Sequence, residues 1–234
     1  MDSSSESNAA ATVDRLLTQR FAARYYLPTP IPREVIEDIV NAANSVPSGF
    51  NLQPWNVYAM SGTAKDNLIA EMLAAHASHT PSTAQFDSAS LNIPQSFEDR
   101  RRDFRNIFYE AQGVRRGDTE AKNAAEARNF TFFDAPVALI FTINRQLNAA
   151  AWLDLGAFVQ GITMGVRARG LECVPMLSIP RYDAIIRKHF DIPADDIVAI
   201  GMAVGFADHE KIQKYYVRPA KRPLDDVLHL SGFP

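Results

Sequence analysis

The sequence predicts an α+β fold in which helices pack against a central sheet. Helical periodicities alternate with short apolar runs at 57–60, 137–143, 171–174 and 197–204, and no repeat or linker divides the 234 residues. Such an order favours a sandwich of helices on a mixed or antiparallel sheet. We therefore expect one domain over residues 12–234, with an insertion or lid at about 78–128.

Composition narrows the class of protein. Hydrophobic residues at 47% and charged residues at 22% are typical of a globular domain, and a net charge of -3 gives no reason to expect a nucleic acid partner. The single cysteine, Cys173, excludes an internal disulfide and a cysteine-based zinc site, and we expect no metal. No apolar run reaches the roughly 20 residues that span a bilayer, so we expect a cytoplasmic protein without a membrane segment.

In the first half of the chain, prolines and the periodicity of apolar residues predict the elements. Met1–Ala11 is polar and Ser-rich, which predicts a disordered tail and not a secretory signal. The prolines of 27–32 predict an extended linker. The predicted elements are a helix at Val13–Ala23, a helix from Pro32 to Val46, a strand at Val57–Met60 and a helix at Thr63–Ala77.

The second half begins with a predicted surface loop at 78–96 and contains the most apolar helix. Trp152, Leu155, Val159, Ile162 and Val166 recur on one face of that helix, while Gly156, Gly161 and Gly165 leave room for close neighbours. Gly201 and Gly205 are expected to mark close packing within a strand. The predicted elements are helices at 97–114, 121–130, 149–169 and 182–189, strands at 137–143, 171–174 and 197–204, and a short element at 224–230.

Between a predicted helix and the first strand lies a loop with the sequence Pro47-Ser48-Gly49-Phe50-Asn51-Leu52-Gln53-Pro54-Trp55. Two prolines exclude a regular element, and Gly49 is expected to allow an unusual backbone conformation. The side chains of Ser48, Asn51 and Gln53 offer donors and acceptors that suit the edge of a heteroaromatic ring. A simple turn anchored by Trp55 is the alternative interpretation.

Cations cluster near both ends of the sequence. Arg20 and Arg24 lie at the front, and Arg218, Lys221 and Arg222 lie at the back. Together they could bind an anion, although each could equally be an ordinary surface charge. The sequence has no Walker loop, no Rossmann glycine motif and no Gly-x-Ser-x-Gly elbow, so other common catalytic signatures are absent from it.

These segments resemble the signatures of the nitroreductase family. The loop resembles the family's flavin loop, Arg20-x-Ala22-x-Arg24 its opening Arg-x-Ser-x-Arg, and Arg218 to Asp225 its closing segment. Two further stretches, 128–136 and 152–172, are similar to internal signatures and lead to a flavin-contacting stretch at 175–178. The motifs follow the family order and cover nearly the whole chain, and the arginine-rich insertion looks most like the nitrobenzoate-reducing subgroup.

The resemblance implies an FMN enzyme that takes electrons from NADH or NADPH and reduces an electron-poor nitroaromatic compound to nitroso or hydroxylamino products. It also implies a homodimer with swapped tails and flavin at the interface. Reduction of quinones or activated alkenes, and flavin sequestration without turnover, remain alternatives. The implied flavin-binding residues are Arg20, Phe21, Ala22, Arg24, Pro47, Ser48, Gly49, Asn51, Gln53, Arg128, Pro175, Met176, Leu177, Ser178, Arg218 and Lys221.

Within this set, Arg20, Lys221 and Arg218 are expected at the phosphate or ribityl chain, and Arg24 at flavin N1/O2. Ser48, Asn51 and Gln53 would come from the partner subunit. The sequence departs from the family pattern in two places. Ala22 stands where Ser is usual, and Met176-Leu177-Ser178 replaces the more usual Gln-Ala-Ala, which makes the expected floor of the pocket more apolar.

Overall fold

A computed structural model describes residues 3–87 and 92–233, with side chains of the first helix described from residue 8. Among these residues, four strands form one antiparallel sheet in the order β1-β2-β4-β3. The strands are β1 (Trp55–Ser61), β2 (Val137–Asn144), β3 (Glu172–Met176) and β4 (Asp196–Gly205). The structure confirms the predicted α+β class.

Helices surround this sheet. They are α1 (Ser3–Thr18), α2 (Arg33–Ala43), α3 (Gly62–Ala77), α4 (Gln95–Ala111), α5 (Thr119–Phe130), α6 (Ala149–Ala168), α7 (Asp183–His189) and α8 (His209–Tyr215). Short 3₁₀ turns lie at Gly49–Asn51, Phe132–Asp134, Ile179–Tyr182 and Leu224–Asp226. Most predicted elements are present within a few residues of their expected bounds.

The apolar side chains form one cluster on each face of the sheet. Along β2, Ala138 and Ile140 point into the first cluster, whereas Leu139 and Phe141 point into the second. This alternation follows from the two-residue period of a strand. Because β2 is buried on both faces, its sequence is apolar on both faces, with Thr142 as the exception, and does not alternate.

Helix α6 and helix α2 cover one face of the sheet and approach each other closely. A Cβ added at Gly161 would lie 3.0 Å from Val46, and one added at Gly165 would lie 3.2 Å from Ile39. These two glycines therefore permit the close approach that the sequence predicted. Gly156, by contrast, meets no described atom within 4 Å of such a Cβ.

The N-terminal prediction needs correction. The predicted tail is helical from Ser3 onward, and the helix ends at Thr18 instead of continuing to Ala23. Residues 20–27 are extended, because Tyr26 forms an antiparallel β-bridge with Ala207. The backbone groups in this bridge cannot also form the hydrogen bonds of a helix. Residues 1–2 of the predicted tail and 88–91 of the predicted loop lie outside the described residues.

One described helix bears on the expectation that the protein has no membrane segment, and it does so by length and composition alone. Helix α6 spans 20 residues, and its apolar composition would allow it to cross a bilayer. It nevertheless packs on α2 and on the sheet through Leu155, Phe158 and Ile162, which are 4% exposed or less. The opposite side of the helix also carries an apolar side chain, Leu153, which is 77% exposed.

The strand glycines are confirmed as close-packing positions. A Cβ at Gly205 would lie 2.7 Å from Pro136 Cδ and 2.8 Å from Tyr26 Cδ1, and a Cβ at Gly201 would lie 2.6 Å from Ile179 Cγ1. These positions hold segment 20–27 and the 3₁₀ turn at 179–182 against β4.

We expect Gly205→Ala to destabilise the protein by about 1–3 kcal/mol, because ring atoms of Pro136 and Tyr26 cannot move aside without disturbing the core. The denaturant midpoint of the purified variant measures this loss. An unchanged midpoint would show that segment 20–27 is held less tightly than the geometry indicates.

Candidate functional site

A cleft of about 250 Å³ lies between the extended segment 20–25, α4, α8 and the C-terminal segment after α8. Five cations from distant parts of the sequence line it: Arg20, Arg24, Arg128, Arg218 and Lys221. Ala22 also lines it. The structure thus brings together the cations from both chain ends, as well as Arg128 at the end of α5.

Backbone hydrogen bonds hold the two ends of the chain side by side. Leu27 N donates to Phe206 O at 2.8 Å, and Asp208 N donates to Tyr25 O at 3.0 Å. Arg218 reaches back to donate to the carbonyl oxygens of Thr18 and Arg20, the latter at 2.9 Å. Arg218 therefore joins the C-terminal segment to the N-terminal one and shapes the cleft wall.

The positive charge of this cleft is not balanced from within the described part of the chain. No aspartate or glutamate is among the lining residues, and none of the five cations takes part in the ion pairs found in residues 3–87 and 92–233. Arg20, Arg24 and Arg128 are partly buried, and partly buried cations without counterions are costly unless an anion or an electron-rich group joins them. The cleft is therefore suited to an anionic ligand.

Arg24 occupies the apolar end of the cleft. Its guanidinium carbon lies 5.0 Å from the ring centroid of Phe108 and 6.0 Å from that of Phe104, both on α4. Burial lowers the pKa of the Arg24 guanidinium, and the nearby charge of Arg128 lowers it further. A preorganised cation in such partly apolar surroundings acts strongly on a charge that develops beside it.

Arg128 lies next to Arg24 and is fixed by two contacts. It donates a hydrogen bond to the carbonyl oxygen of Arg24, and its guanidinium carbon lies 4.3 Å from the ring centroid of Tyr25. Phe21, which the resemblance placed at the flavin, does not line the cleft. Its ring packs 5.6 Å from that of Tyr216 and ties the N-terminal segment to the residues after α8.

The Pro47–Trp55 loop has the unusual course that the sequence predicted, but through different residues. Phe50, Asn51 and Gln53 have positive φ values of 51°, 57° and 47°, whereas Gly49 does not adopt this conformation. The prediction for Gly49 is thus wrong. Left-handed residues other than glycine are costly and cluster at functional sites.

Neighbouring side chains hold this loop. The backbone N–H of Gly49 donates to Asp154 of α6 at 3.1 Å, and that of Gln53 donates to Ser48 Oγ at 3.0 Å. Trp55 stacks on Phe158 with ring centroids 4.6 Å apart, and its indole N–H donates to Asn44 at 2.9 Å. The predicted anchor role of Trp55 is therefore compatible with a functional loop.

The loop and the cleft do not meet within one chain. Pro47, Ser48, Gly49, Asn51 and Gln53 are absent from the described lining of the cationic cleft. Phe50 is fully exposed, and Leu52 is 56% exposed. A held loop with exposed apolar tips and no partner surface in its own chain is typical of a segment that contacts another molecule.

The stretch after β3 lines a second cavity. Leu177 and Ser178 face it together with His76, Asn129 and Phe130. Met176 is instead buried in the first apolar cluster, and Pro175 lies in β3, where it pairs with β4. Helix α5 separates the two cavities, because Arg128 faces one and Asn129 the other. The hydroxyl of Ser178 is buried and has no hydrogen-bond partner among the described residues.

Sequence reasoning missed the aromatic wall of the cleft. Phe104 and Phe108 recur at the spacing of one helical face, which was the available signal, and Tyr215 and Tyr216 complete the wall from the other side. The neighbouring arginines of α4 point elsewhere: Arg102 pairs with Asp99, and Arg105 with Glu98. The charges of α4 therefore form an ion-pair network, while its rings face the cleft.

Comparison with known proteins identifies relatives over nearly the whole chain. The chain is 31% identical to 4-nitrobenzoate reductase from Pseudomonas putida over 94% of its own length and 96% of that protein. It is 32% identical to nitrobenzene nitroreductase from Ectopseudomonas oleovorans over 84% and 87% of the two chains.

Among solved structures, the FMN-dependent nitroreductase NfnB from Mycobacterium smegmatis in complex with NADPH superposes with a TM-score of 0.90 at 25% identity. The match covers 95% of this chain and 99% of that one. A sequence profile described as the nitroreductase family matches residues 17–206, which span the cleft cations Arg20, Arg24 and Arg128 and the Pro47–Trp55 loop. The chain therefore belongs to the nitroreductase family.

Proposed function

We propose that this protein is an FMN-dependent oxidoreductase that uses NADH or NADPH to reduce nitroaromatic compounds. The observation that carries the proposal is the cleft of five cations without a carboxylate, built from the family's own opening and closing motifs. The comparisons support the same activity, because relatives across the chain are nitrobenzoate and nitrobenzene reductases.

The charge of the cleft suits the phosphate of FMN. Arg20 and Lys221 lie where two chain ends converge and would hold the phosphate, since cations at such a site form strong charge-assisted hydrogen bonds. Arg218 would support them by holding the backbone of Arg20 in place. When bound, FMN would supply the two-electron redox chemistry in a ping-pong cycle, first with NAD(P)H and then with the nitro compound.

Arg24 and Arg128 would lie beside the flavin ring. Their charges sit at the aromatic end of the cleft, where a negative charge near N1/O2 would be stabilised on reduction. The rings of Phe104 and Phe108 would exclude water and offer a flat surface to an aromatic substrate. In this arrangement α4 and α5, which lie largely within segment 78–128 although α5 ends at Phe130, would form the lid of the site, and residues 12–234 would form one domain.

We propose that the site is completed in a homodimer. Ser48, Asn51 and Gln53 carry suitable donors and acceptors but do not line the cleft of their own chain. The exposed apolar side chains are spread over the surfaces that a partner would cover: Phe50 and Leu52 in the loop, Leu153 on α6, and Leu224, Val227 and Leu230 near the C-terminus. A second copy would bring its loop to the flavin and cover these patches with α6 and the exchanged tail.

Leu153→Glu should dissociate this dimer, because it places a charge on the exposed apolar face of α6, near the start of the helix, without disturbing the chain's own core. Sedimentation velocity of the variant should show a monomer that has lost its flavin. A flavin-loaded monomer would contradict the proposed interface. The control Arg33→Glu, on the exposed outer side of α2, should remain dimeric.

The activity is tested by following NADH and NADPH oxidation with and without 4-nitrobenzoate. We expect oxidation that depends on the nitro compound and yields nitroso and hydroxylamino products. Oxidation of NADH or NADPH that depends on quinones or activated alkenes, with none that depends on nitro compounds, would favour the alternative reductase. Flavin binding without any turnover would favour a sequestering protein. A cytoplasmic location is proposed, since the two nicotinamide donors are found there.

A further inference from the structure

A turn of left-handed residues lies against Arg24 and Arg128, two of the four arginines of the cleft. Phe132, Phe133 and Asp134 all have positive φ values, of 52°, 53° and 62°, immediately before β2 begins. L-residues other than glycine rarely adopt this conformation singly, and three in a row require strong support from their surroundings. Such an outlier calls for a physical reason.

The support comes from a buried lysine and from two backbone hydrogen bonds of 3.1 Å, donated by Asp134 N to Thr131 O and by Ala135 N to Phe132 O. Lys65, in the first turn of α3, is 8% exposed and donates to the carbonyl oxygen of Ala135 at 2.6 Å. Within the described residues Lys65 takes part in no ion pair. Burying an ammonium group with one carbonyl partner is costly, and this carbonyl belongs to the residue that directly follows the turn.

The turn presents one aromatic ring to both arginines. The guanidinium carbon of Arg128 lies 5.3 Å from the ring centroid of Phe133, and that of Arg24 lies 5.8 Å from it. Phe133 is 1% exposed, so its ring is held from below by the first apolar cluster. The negative face of an aromatic ring attracts cations, and it offsets part of the repulsion between two like charges.

The neighbouring residue Phe132 is similar to Phe133 except that its ring contacts no arginine among the described residues. Phe132 has the same left-handed conformation, is 0% exposed and belongs to the same cluster. Within the described part of the chain, no guanidinium lies over its ring. Both residues are buried in the turn, but only Phe133 contacts the arginines. A comparison of variants at these two positions therefore distinguishes the effect of burial from the effect of that contact.

We propose that Phe133 is a positioning residue for the flavin reaction: the left-handed turn, held by Lys65, places its ring beneath Arg24 and Arg128 and fixes their guanidinium groups toward the cleft. The inference rests on the proposed function, since it concerns how the chain prepares the cleft for FMN. Without this ring, Arg128 would keep its contacts with the Arg24 carbonyl and Tyr25, and Arg24 its contact with Phe108. The repulsion between the two cations would then be offset less, so their guanidinium groups would move apart and less of their charge would act at the flavin.

The test compares Phe133→Leu with its matched control Phe132→Leu in the full-length protein. Each variant removes a ring from the same turn and leaves an apolar side chain, so both should lose similar stability in urea unfolding. Only Phe133→Leu should weaken FMN binding, by about tenfold for the loss of two partly desolvated cation–π contacts. It should also lower the flavin midpoint potential, whereas Phe132→Leu should leave the potential unchanged.

A second variant tests the support and guards against misfolding. Lys65→Met keeps a long unbranched side chain but cannot donate to Ala135, and it should weaken FMN binding in the same direction as Phe133→Leu. The double variant should bind FMN no more weakly than the worse single one, because both changes act on one ring. If Phe133→Leu does not fold, Lys65→Met alone decides: wild-type affinity and potential would overturn the proposal.

The two hypotheses fail in different ways. If the wild-type protein does not bind FMN, the proposed function is wrong. If the wild-type protein binds FMN, and Phe133→Leu and Phe132→Leu shift affinity and potential equally, Phe133 is merely a buried core residue and this inference is wrong.

Discussion

Replacing Arg20 and Lys221 together by alanine is expected to abolish flavin retention during purification. Each removes a charge-assisted contact worth about 1.5–3 kcal/mol, so FMN affinity should fall by at least a hundredfold. Because a phosphate keeps its charge whatever the state of the ring, the oxidised and reduced cofactors should be weakened equally. Fluorescence titration with FMN measures the loss.

The matched control removes two cations from outside the cleft. Arg33 and Lys188 are exposed and pair with Glu37 and Glu71, so Arg33→Ala/Lys188→Ala has the same change in net charge. We expect its FMN affinity to match that of the wild type. Equal losses in the two double variants would mean that overall charge, and not the cleft, governs binding. Arg218 is left intact because its bonds to Thr18 and Arg20 make its loss a structural change.

Replacing Arg24 by alanine should affect the reduced flavin more than the oxidised one. Reduction places negative charge near N1, and a partly buried cation stabilises that charge selectively. Loss of about 1.5–3 kcal/mol from the reduced state corresponds to a fall of roughly 30–65 mV in the two-electron midpoint potential. Reduction by NAD(P)H should be slower as a result.

Spectroelectrochemistry on flavin-saturated protein measures this shift. Arg24→Lys keeps the charge, although it loses the planar packing on Phe108, and should recover most of the potential. An unchanged potential in Arg24→Ala would show that this arginine does not act on the ring. A loss of FMN affinity without any change in potential would instead place Arg24 at the phosphate.

The strands and the long helices could be predicted because each has a periodicity that local sequence determines. Val137 to Ile143 is apolar except for Thr142 since β2 is buried on both faces, and α6 repeats its apolar residues at helical spacing. The N-terminal segment could not be predicted in this way. Residues 20–27 are compatible with a helix, and only the distant residues Phe206 to Asp208 draw them into an extended conformation.

The site shows the same division between local and distant information. The cations and the loop could be singled out by their motifs, but the sequence could not show that Arg128 lies against Arg24 or that α4 faces the cleft with its rings. Nor could it identify which loop residues are left-handed. Gly49 was the natural candidate, yet Phe50 and Asn51 adopt that conformation, while the backbone N–H of Gly49 donates to Asp154 of the distant helix α6.

The central claim is that the cationic cleft binds FMN and that the bound flavin reduces nitroaromatic compounds. The most direct measurement is anaerobic absorbance spectroscopy of the purified protein during sequential additions. We predict a yellow protein with about one FMN per chain, bleached by NADH or NADPH and restored by 4-nitrobenzoate in the absence of oxygen. A colourless protein that does not take up added FMN would contradict the account, and so would a flavin that 4-nitrobenzoate fails to reoxidise.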